Sequence, residues 1–400
     1  MSEGWVQCWG QSHAALSFFY YPSCKKTYRL VLNTAISGEQ IRVRLSGKCQ
    51  KNDVEIGALT ASRCDADGTF IGEPVKLTFG GKSSFTLKKG ITAVSDSAPL
   101  SVNAGEYVAL SLYVKEGSLT SGNLLSNVNI ITAKGDRTAD RELPNEPRVR
   151  DSVRSLACKV LGMFLHKPIP LFDSVELLNT DGAKSIVIFG DSLSQQGFWT
   201  NAFDERIRAS FPGRYSVINK SIMGNRVLLD YSTKFFCRGL FGQRGTERIK
   251  DDVYAYDNVD HVILALGVND VLQYGTITTY KKEKPDPKEL CAAIKQLTLD
   301  IKARGTKVMV MTLIGFADFP DYKPDKEELR HQVNTWLREN KDLFDGFFDL
   351  AKLSGVPGKE GYTVLSYLGP DKLHPNLEGG KFFADSIDLS MFGEAACVSE

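Results

Sequence analysis

Three short segments of this chain hold residue types that can move protons and attack electrophiles. Gly190-Asp191-Ser192-Leu193 and Gly267-Val268-Asn269-Asp270 each follow an apolar run, and Asp371-Lys372-Leu373-His374-Pro375-Asn376 stands near the C-terminus. A serine hydroxyl is a weak nucleophile until a base takes its proton, and imidazole is suited to that task near neutral pH. Each segment also has an architectural reading. Asp and Ser after a strand favour a helix N-cap, Asn-Asp at a strand end is a common turn, and an isolated Asp-x-x-His is usually structural. Ser192 lacks the G-x-S-x-G elbow of the ordinary α/β-hydrolase.

The elements around these segments decide whether they can meet. Ser185–Phe189 is a continuous apolar run, as expected of a strand buried on both faces. Further buried strands are predicted at Tyr215–Ile218, His261–Leu266 and Lys307–Met311, with helices over Trp199–Phe211, Pro287–Arg304 and Lys326–Glu339. Strands alternating with helices imply a parallel sheet covered on both sides, and functional residues gather beyond the carboxyl ends of such strands. The first third reads differently. Tyr28–Leu32, Ile41–Leu45, Val75–Phe79, Ser84–Leu87 and Tyr107–Val114 are short β-type runs punctuated by glycine, which predicts an all-β sandwich or jelly roll. From Lys134 to Arg154, eleven charged residues of both signs surround Pro144 and Pro147. The expected organisation is a β-sandwich over 1–133, a linker and connecting segment over 134–182, and an α/β domain over 183–400.

Composition removes several classes of function. The 400 residues are 42% hydrophobic and 24% charged, which suits a packed protein. Lys and Arg number 49 against 48 Asp and Glu, a formal charge of +1, so no global field favours nucleic acid or anionic lipid. No run approaches the roughly 20 apolar residues that span a bilayer, so no stable membrane insertion is expected. The N-terminus has neither a basic n-region nor an apolar h-region. Eight cysteines without a CxxC pair give neither a zinc site nor a disulfide framework. Reduced thiols and the missing leader favour a cytoplasmic location, or a secreted one if a leader has been removed. Neither metal nor cofactor is expected.

Taken together, the segments resemble the SGNH/GDSL hydrolase family. Its four blocks are a Gly-Asp-Ser serine, a glycine, a Gly-x-Asn-Asp and an Asp-x-x-His. Here they stand in order as Phe189-Gly190-Asp191-Ser192-Leu193, Ser221-Ile222-Met223-Gly224-Asn225-Arg226, Leu266-Gly267-Val268-Asn269-Asp270 and Asp371-Lys372-Leu373-His374. The resemblance implies a flavodoxin-like three-layer αβα domain and a Ser192–His374–Asp371 triad. His374 would take the Ser192 proton, and Asp371 would fix its tautomer. It further implies an oxyanion hole made by the Ser192 and Gly224 backbone N–H groups and the Asn269 amide. Asp191, Asn225 and Asp270 would then be supporting residues that organise loops. Two insertions, 230–248 and 273–287, leave strand ends near Ser192. Phe235, Phe236, Phe241 and Tyr274 are therefore substrate-contact candidates, set against a reading in which they only pack their own loops; Arg226, in the glycine segment, is a separate candidate for an anionic substrate group, set against a role in holding that loop.

The N-terminal part resembles the β-domain of a bacterial subgroup of the same family. The carriers are Trp5 to Trp9, Arg42 to Ser46, Phe79-Gly80-Gly81, Ser95-Asp96 and Ser111-Leu112-Tyr113. Carbohydrate binding, coverage of the active site and support of a homo-oligomer are all compatible with such a domain. The implied activity is a serine esterase acting on a small-molecule or carbohydrate ester, with short acyl or acetyl groups preferred. A lipase or lysophospholipase and a thioesterase are the rivals. A carbohydrate-binding protein on a silent hydrolase scaffold is the alternative of another class.

Overall fold

The structure, a computed structural model, describes residues 4–16, 24–125, 127–144, 168–230, 239–276 and 278–394. It divides into two compact units, Met1–Ser185 with Pro212–Ile218, and Ile186–Phe211 with Asn219–Glu400.

The first unit is an antiparallel β-sandwich. One sheet runs Gly4–Gly10, Phe172–Asn179, Gly38–Ser46 and Thr92–Val94, with Ala98–Val102 also paired to Gly38–Ser46. The other runs Asn129–Lys134, Lys26–Asn33, Tyr107–Glu116, Val54–Cys64 and Val75–Lys76, with Phe85–Leu87 also on Val54–Cys64. Alternation explains the first sheet: Ile41, Val43 and Leu45 enter the core with Val175 and Leu177, and Leu30, Leu110 and Leu112 of the second sheet join the same cluster. Arg42 and Arg44 point the other way and share the Glu176 carboxylate, each at 2.6 Å. The Trp5 ring lies 4.4 Å from the Arg42 guanidinium.

This arrangement moves the expected boundary at residue 133. Phe172–Asn179, within the stretch read as a linker, is an inner strand between Gly4–Gly10 and Gly38–Ser46. The start of the charged run is also held. The buried Arg29 guanidinium lies 3.8 Å from the Phe70 ring centre and donates to the carbonyls of Gly68, Asp140 and Arg141. Burial pulls its pKa down to about 10. Residues 145–167 of that stretch lie outside the described residues.

The α/β part is built on a five-stranded sheet in the order Tyr215–Asn219, Lys184–Gly190, Val259–Ala265, Lys307–Met311, Gly346–Phe348. Numbered along the chain this is 2-1-3-4-5, the flavodoxin-like order, whose ligand crevice lies at the carboxyl ends of the first and third strands. Ile186, Val187, Ile188 and Phe189 are all fully buried, as a central strand covered by helices requires. Phe198–Ser210 packs on Leu377–Asp385, and Pro287–Lys302 on Pro324–Glu339, completing a three-layer αβα domain. Among the described residues no helix is long and apolar enough to cross a membrane.

Candidate active site

The first strand ends at Gly190, and the chain turns directly into the short helix Ser192–Gln195. Asp191 caps it, its Oδ1 accepting from the Leu193 N–H at 3.0 Å. Ser192 therefore sits at the first helical position, with its hydroxyl free to face outward from the strand end. The Ser192 Oγ lies 2.8 Å from His374 Nε2, and His374 Nδ1 lies 2.5 Å from Asp371 Oδ2.

The His374 turn is closed locally. Gly369 N donates to His374 O at 2.8 Å, Lys372 N donates to Gly369 O at 2.9 Å, and Lys372 adopts a positive φ of 60°. The second Asp371 oxygen accepts from the Leu373 and His374 N–H groups, each at 3.1 Å. Asn376 joins the turn to the helix Leu377–Asp385: its side chain donates to the Ser366 and Leu368 carbonyls and caps that helix by accepting from Gly379 N. Burial pushes the Asp371 carboxyl up, but the His374 side chain and the two backbone donors outweigh it and hold it below the usual carboxylate range.

The third strand supplies Asn269 and Asp270 through the helix Val268–Gln273. The Asn269 amide donates to Asn225 O at 3.2 Å, and its oxygen accepts from Gln273 Nε2 at 3.1 Å. Both Asp270 oxygens are taken by backbone donors, Val227 N at 2.8 Å and Leu228 N at 3.0 Å. The glycine loop is thereby tied to the Gly-x-Asn-Asp segment at two points. Gly224 itself has φ 67°, and a Cβ placed there would come within 1.8 Å of the Phe241 ring, so only glycine fits.

Asp191 and Asp270 are both fully buried. Burial pushes Asp191 up to about 7, with Asp270 adding to the rise and the Leu193 N–H and Arg248 opposing it. Asp270 is pushed up to about 6 by burial, against the pull of its two backbone donors and Arg226. A raised folded-state pKa means the fold holds a proton that the unfolded chain has released, so stability falls as pH rises from the ordinary carboxylate range toward 7. We expect the unfolding free energy of the parent to drop by a few kcal/mol across that window, since a tenfold difference in proton affinity between the folded and unfolded chain is worth about 1.4 kcal/mol. Asp191→Asn should flatten this slope in urea melts run between pH 5 and 8, and parallel profiles would contradict the assignment.

Several substrate-contact candidates are engaged elsewhere. Arg226 is buried, pairs with Glu283 at 2.9 Å and donates to Asp230 O at 2.9 Å, so its charge is spent within the protein and not on a substrate anion. Tyr274 is buried and donates its hydroxyl to Asp325 Oδ2 at 2.7 Å; burial and Asp325 push its pKa up. Phe241 is half-buried against Gly224. Phe235 and Phe236 lie outside the described residues. The other described histidines are structural in their contacts: His13 on Ser121 Oγ and Phe172 O, His261 against Asp260 and Phe392, His331 near Glu360. Among the described residues, no three His, Cys, Asp or Glu side chains are grouped so as to hold a metal ion.

One residue of the site has almost no signature in the sequence. Arg248, buried on the helix Gly245–Asp252, donates to Gly190 O, Lys220 O, Asn225 Oδ1 and Asp252 Oδ2. In Thr246-Glu247-Arg248-Ile249-Lys250-Asp251-Asp252 it looks like one charge among many on a solvated helix; only its Asp252 partner at i+4 hints otherwise.

Comparison with known proteins finds a family match. The GDSL-like lipase/acylhydrolase family matches residues 188–382. Among solved structures, a GDSL-like lipase from Bacteroides thetaiotaomicron VPI-5482 is 18% identical, covering 54% of this chain and 90% of its own, with a TM-score of 0.39. The acetylxylan esterase Axe2 from Geobacillus stearothermophilus is 21% identical, covering 53% and 95%, with a TM-score of 0.38. The acetyl xylan esterase AlAXEase is 21% identical, covering 50% and 96%, with a TM-score of 0.34. No curated protein matches the chain. Residues 188–382, which carry the Gly-Asp-Ser, glycine, Asn-Asp and Asp-x-x-His segments, form a GDSL-like lipase/acylhydrolase domain, and the chain is a carboxylic ester hydrolase.

Proposed function

We propose that the chain is a serine esterase that removes short acyl groups, above all acetyl, from a small molecule or carbohydrate. The observation that carries this reading is the unbroken Asp371–His374–Ser192 chain, with links of 2.5 and 2.8 Å. His374 Nε2 takes the Ser192 proton as Oγ attacks the ester carbonyl, and the carbonyl π electrons move onto oxygen. His374 then delivers that proton to the departing alkoxide, the C–O bond breaks, and Ser192 is left acylated. Water repeats the sequence: His374 takes its proton, hydroxide adds to the acyl carbon, and the proton returns to Ser192 as the carboxylic acid leaves. Ionised Asp371 keeps the remaining N–H of the imidazole on Nδ1 and stabilises the imidazolium that forms twice per cycle.

The transient oxyanion needs donors already in place. We assign that role to the N–H groups of Ser192 and Gly224 and to the Asn269 amide, which has two hydrogens and uses one on Asn225 O. Asn269→Ala should lower kcat by about 10²- to 10³-fold with KM little changed, the usual cost of one such donor; a loss below about threefold would count against it. The Phe241 ring packed on Gly224 narrows the space beside these donors, which supports a short acyl group over a long chain.

The reading is tested by turnover of nitrophenyl acetate, butyrate and octanoate, together with a panel of acetylated sugars. Acetate should be preferred. A preference for octanoate would favour a lipase, and no turnover at all would favour a binding protein on a silent scaffold.

A further inference from the structure

The strand that ends at the nucleophile and the loop that carries Gly224 are separate pieces of chain, and an oxyanion hole built from both needs a fixed distance between them. Arg248 spans the two. Its Nη2 donates to Gly190 O at 2.9 Å, two residues before Ser192. Its Nη1 donates to Lys220 O at 2.7 Å, four residues before Gly224. Its Nε donates to Asn225 Oδ1 at 2.8 Å, immediately after Gly224. Asn225 is itself oriented by donating from Nδ2 to Phe241 O and Gln243 O, each at 2.7 Å, which turns its oxygen toward the guanidinium.

The surroundings suit a permanent cation. The guanidinium lies 3.8 Å from the centre of the Phe189 ring, and Nη1 also meets Asp252 Oδ2 at 2.8 Å. Burial pulls its pKa down, while Asp252 and Asp191 pull it back up. A planar fork can serve acceptors in three fixed directions at once; a lysine ammonium on a flexible stem cannot reproduce that geometry. A buried charge is costly unless paired and hydrogen-bonded, and this one spends its donors on the two segments that border the reacting atoms.

We propose that Arg248 is a positioning residue for catalysis: by clamping Gly190 to the Lys220–Asn225 loop it sets the spacing of the Ser192 and Gly224 N–H donors. Arg248 touches no substrate atom. It acts through those two backbone segments, and the inference rests on the serine-esterase reading.

The test is Arg248→Lys in the full chain, read by kcat, KM and affinity for methylboronic acid, which forms a tetrahedral adduct on a serine Oγ and samples the oxyanion hole. Displacing donors by a fraction of an ångström to an ångström costs up to about 10²-fold. We expect kcat and boronate affinity to fall together by about 30- to 100-fold, KM to stay within about threefold, and the near-UV circular dichroism to remain native. A folded Arg248→Lys with kcat within about threefold of the parent would overturn the proposal. So would a fall in kcat without a matching fall in boronate affinity, or a loss of activity that only tracks the unfolded fraction. If Arg248→Lys does not fold, Asn225→Ser removes the acceptor of the Nε arm together with the Nδ2 bonds to Phe241 O and Gln243 O, Asn225→Asp removes only the latter, and kcat and boronate affinity must fall in parallel about tenfold further in Asn225→Ser than in Asn225→Asp. A parent with no turnover and no boronate adduct would defeat the esterase reading itself, an outcome separate from these.

Discussion

Replacing Ser192 by Ala should reduce kcat for nitrophenyl acetate by at least about 10⁴-fold, to the residual level that substrate binding and the oxyanion donors alone sustain. The hydroxyl removed is bonded to His374 Nε2, and Ser192 is only half-buried at the start of its helix. Its loss opens no core cavity, so the melting temperature should move by no more than about a degree or two, within the usual range for exposed sites. KM should also hold, because the Oγ contributes to bond formation and not to ground-state recognition. A variant that keeps a tenth of the parent rate would mean that another group attacks the ester.

Asp371→Asn should cost nearly as much, about 10⁴-fold in kcat, by a different route. The carboxylate accepts from His374 Nδ1 on one oxygen and from two backbone N–H groups on the other. An amide in this place satisfies the backbone donors with its oxygen and turns its NH₂ toward the ring. Nδ1 must then be the acceptor, the proton moves to Nε2, and the imidazole faces Ser192 Oγ with a hydrogen where it needs a lone pair. The imidazolium also loses its counter-charge. Because His374 and the backbone donors hold the Asp371 carboxyl below its ordinary range, it stays ionised until the pH falls below that range. A loss of parent activity at any higher pH therefore belongs to another group, and the pH profiles of parent and Asp371→Asn separate the two effects. Comparable kcat values in the two proteins would remove Asp371 from the mechanism.

Much of this site was legible in the residues because each chemical segment lies at the end of an element with a strong local signature. Ile186–Phe189 is uniformly apolar, the pattern of a strand covered on both faces, so the turn after it, with Asp191 and Ser192, was expected at the carboxyl end of a sheet strand. The same logic put Asn269 and Asp270 after the His261–Leu266 run. The β-domain was read less completely. Val54–Cys64 is its longest strand, yet Gly57, Ala58 and Ala61 weaken its alternation; the Tyr113 ring lies over Gly57, so the contact that a larger residue would supply comes from the neighbouring strand. Phe172–Asn179 was hidden because two acidic residues, Asp173 and Glu176, interrupt its apolar pattern, and Glu176 is paired with Arg42 and Arg44, which are distant in sequence.

Arg248, Arg226 and Tyr274 show the limit from the side of chemistry. Whether a guanidinium or phenol meets a substrate or another residue depends on partners brought by the fold: Gly190, Lys220 and Asn225 for Arg248, Glu283 for Arg226, Asp325 for Tyr274. None of these pairings has a periodic signature. The proposed triad is different, since Asp371 and His374 are three residues apart in one turn, and only Ser192 must be delivered by tertiary structure.

The most direct measurement is to trap the acyl-enzyme. Parent protein mixed with excess nitrophenyl acetate, quenched in acid within the first turnovers and digested, should carry one acetyl group on the peptide that contains Ser192, and Ser192→Ala should carry none. An acetyl group that accumulates with turnover on any other residue, or undiminished turnover by Ser192→Ala, would contradict Ser192 as the nucleophile.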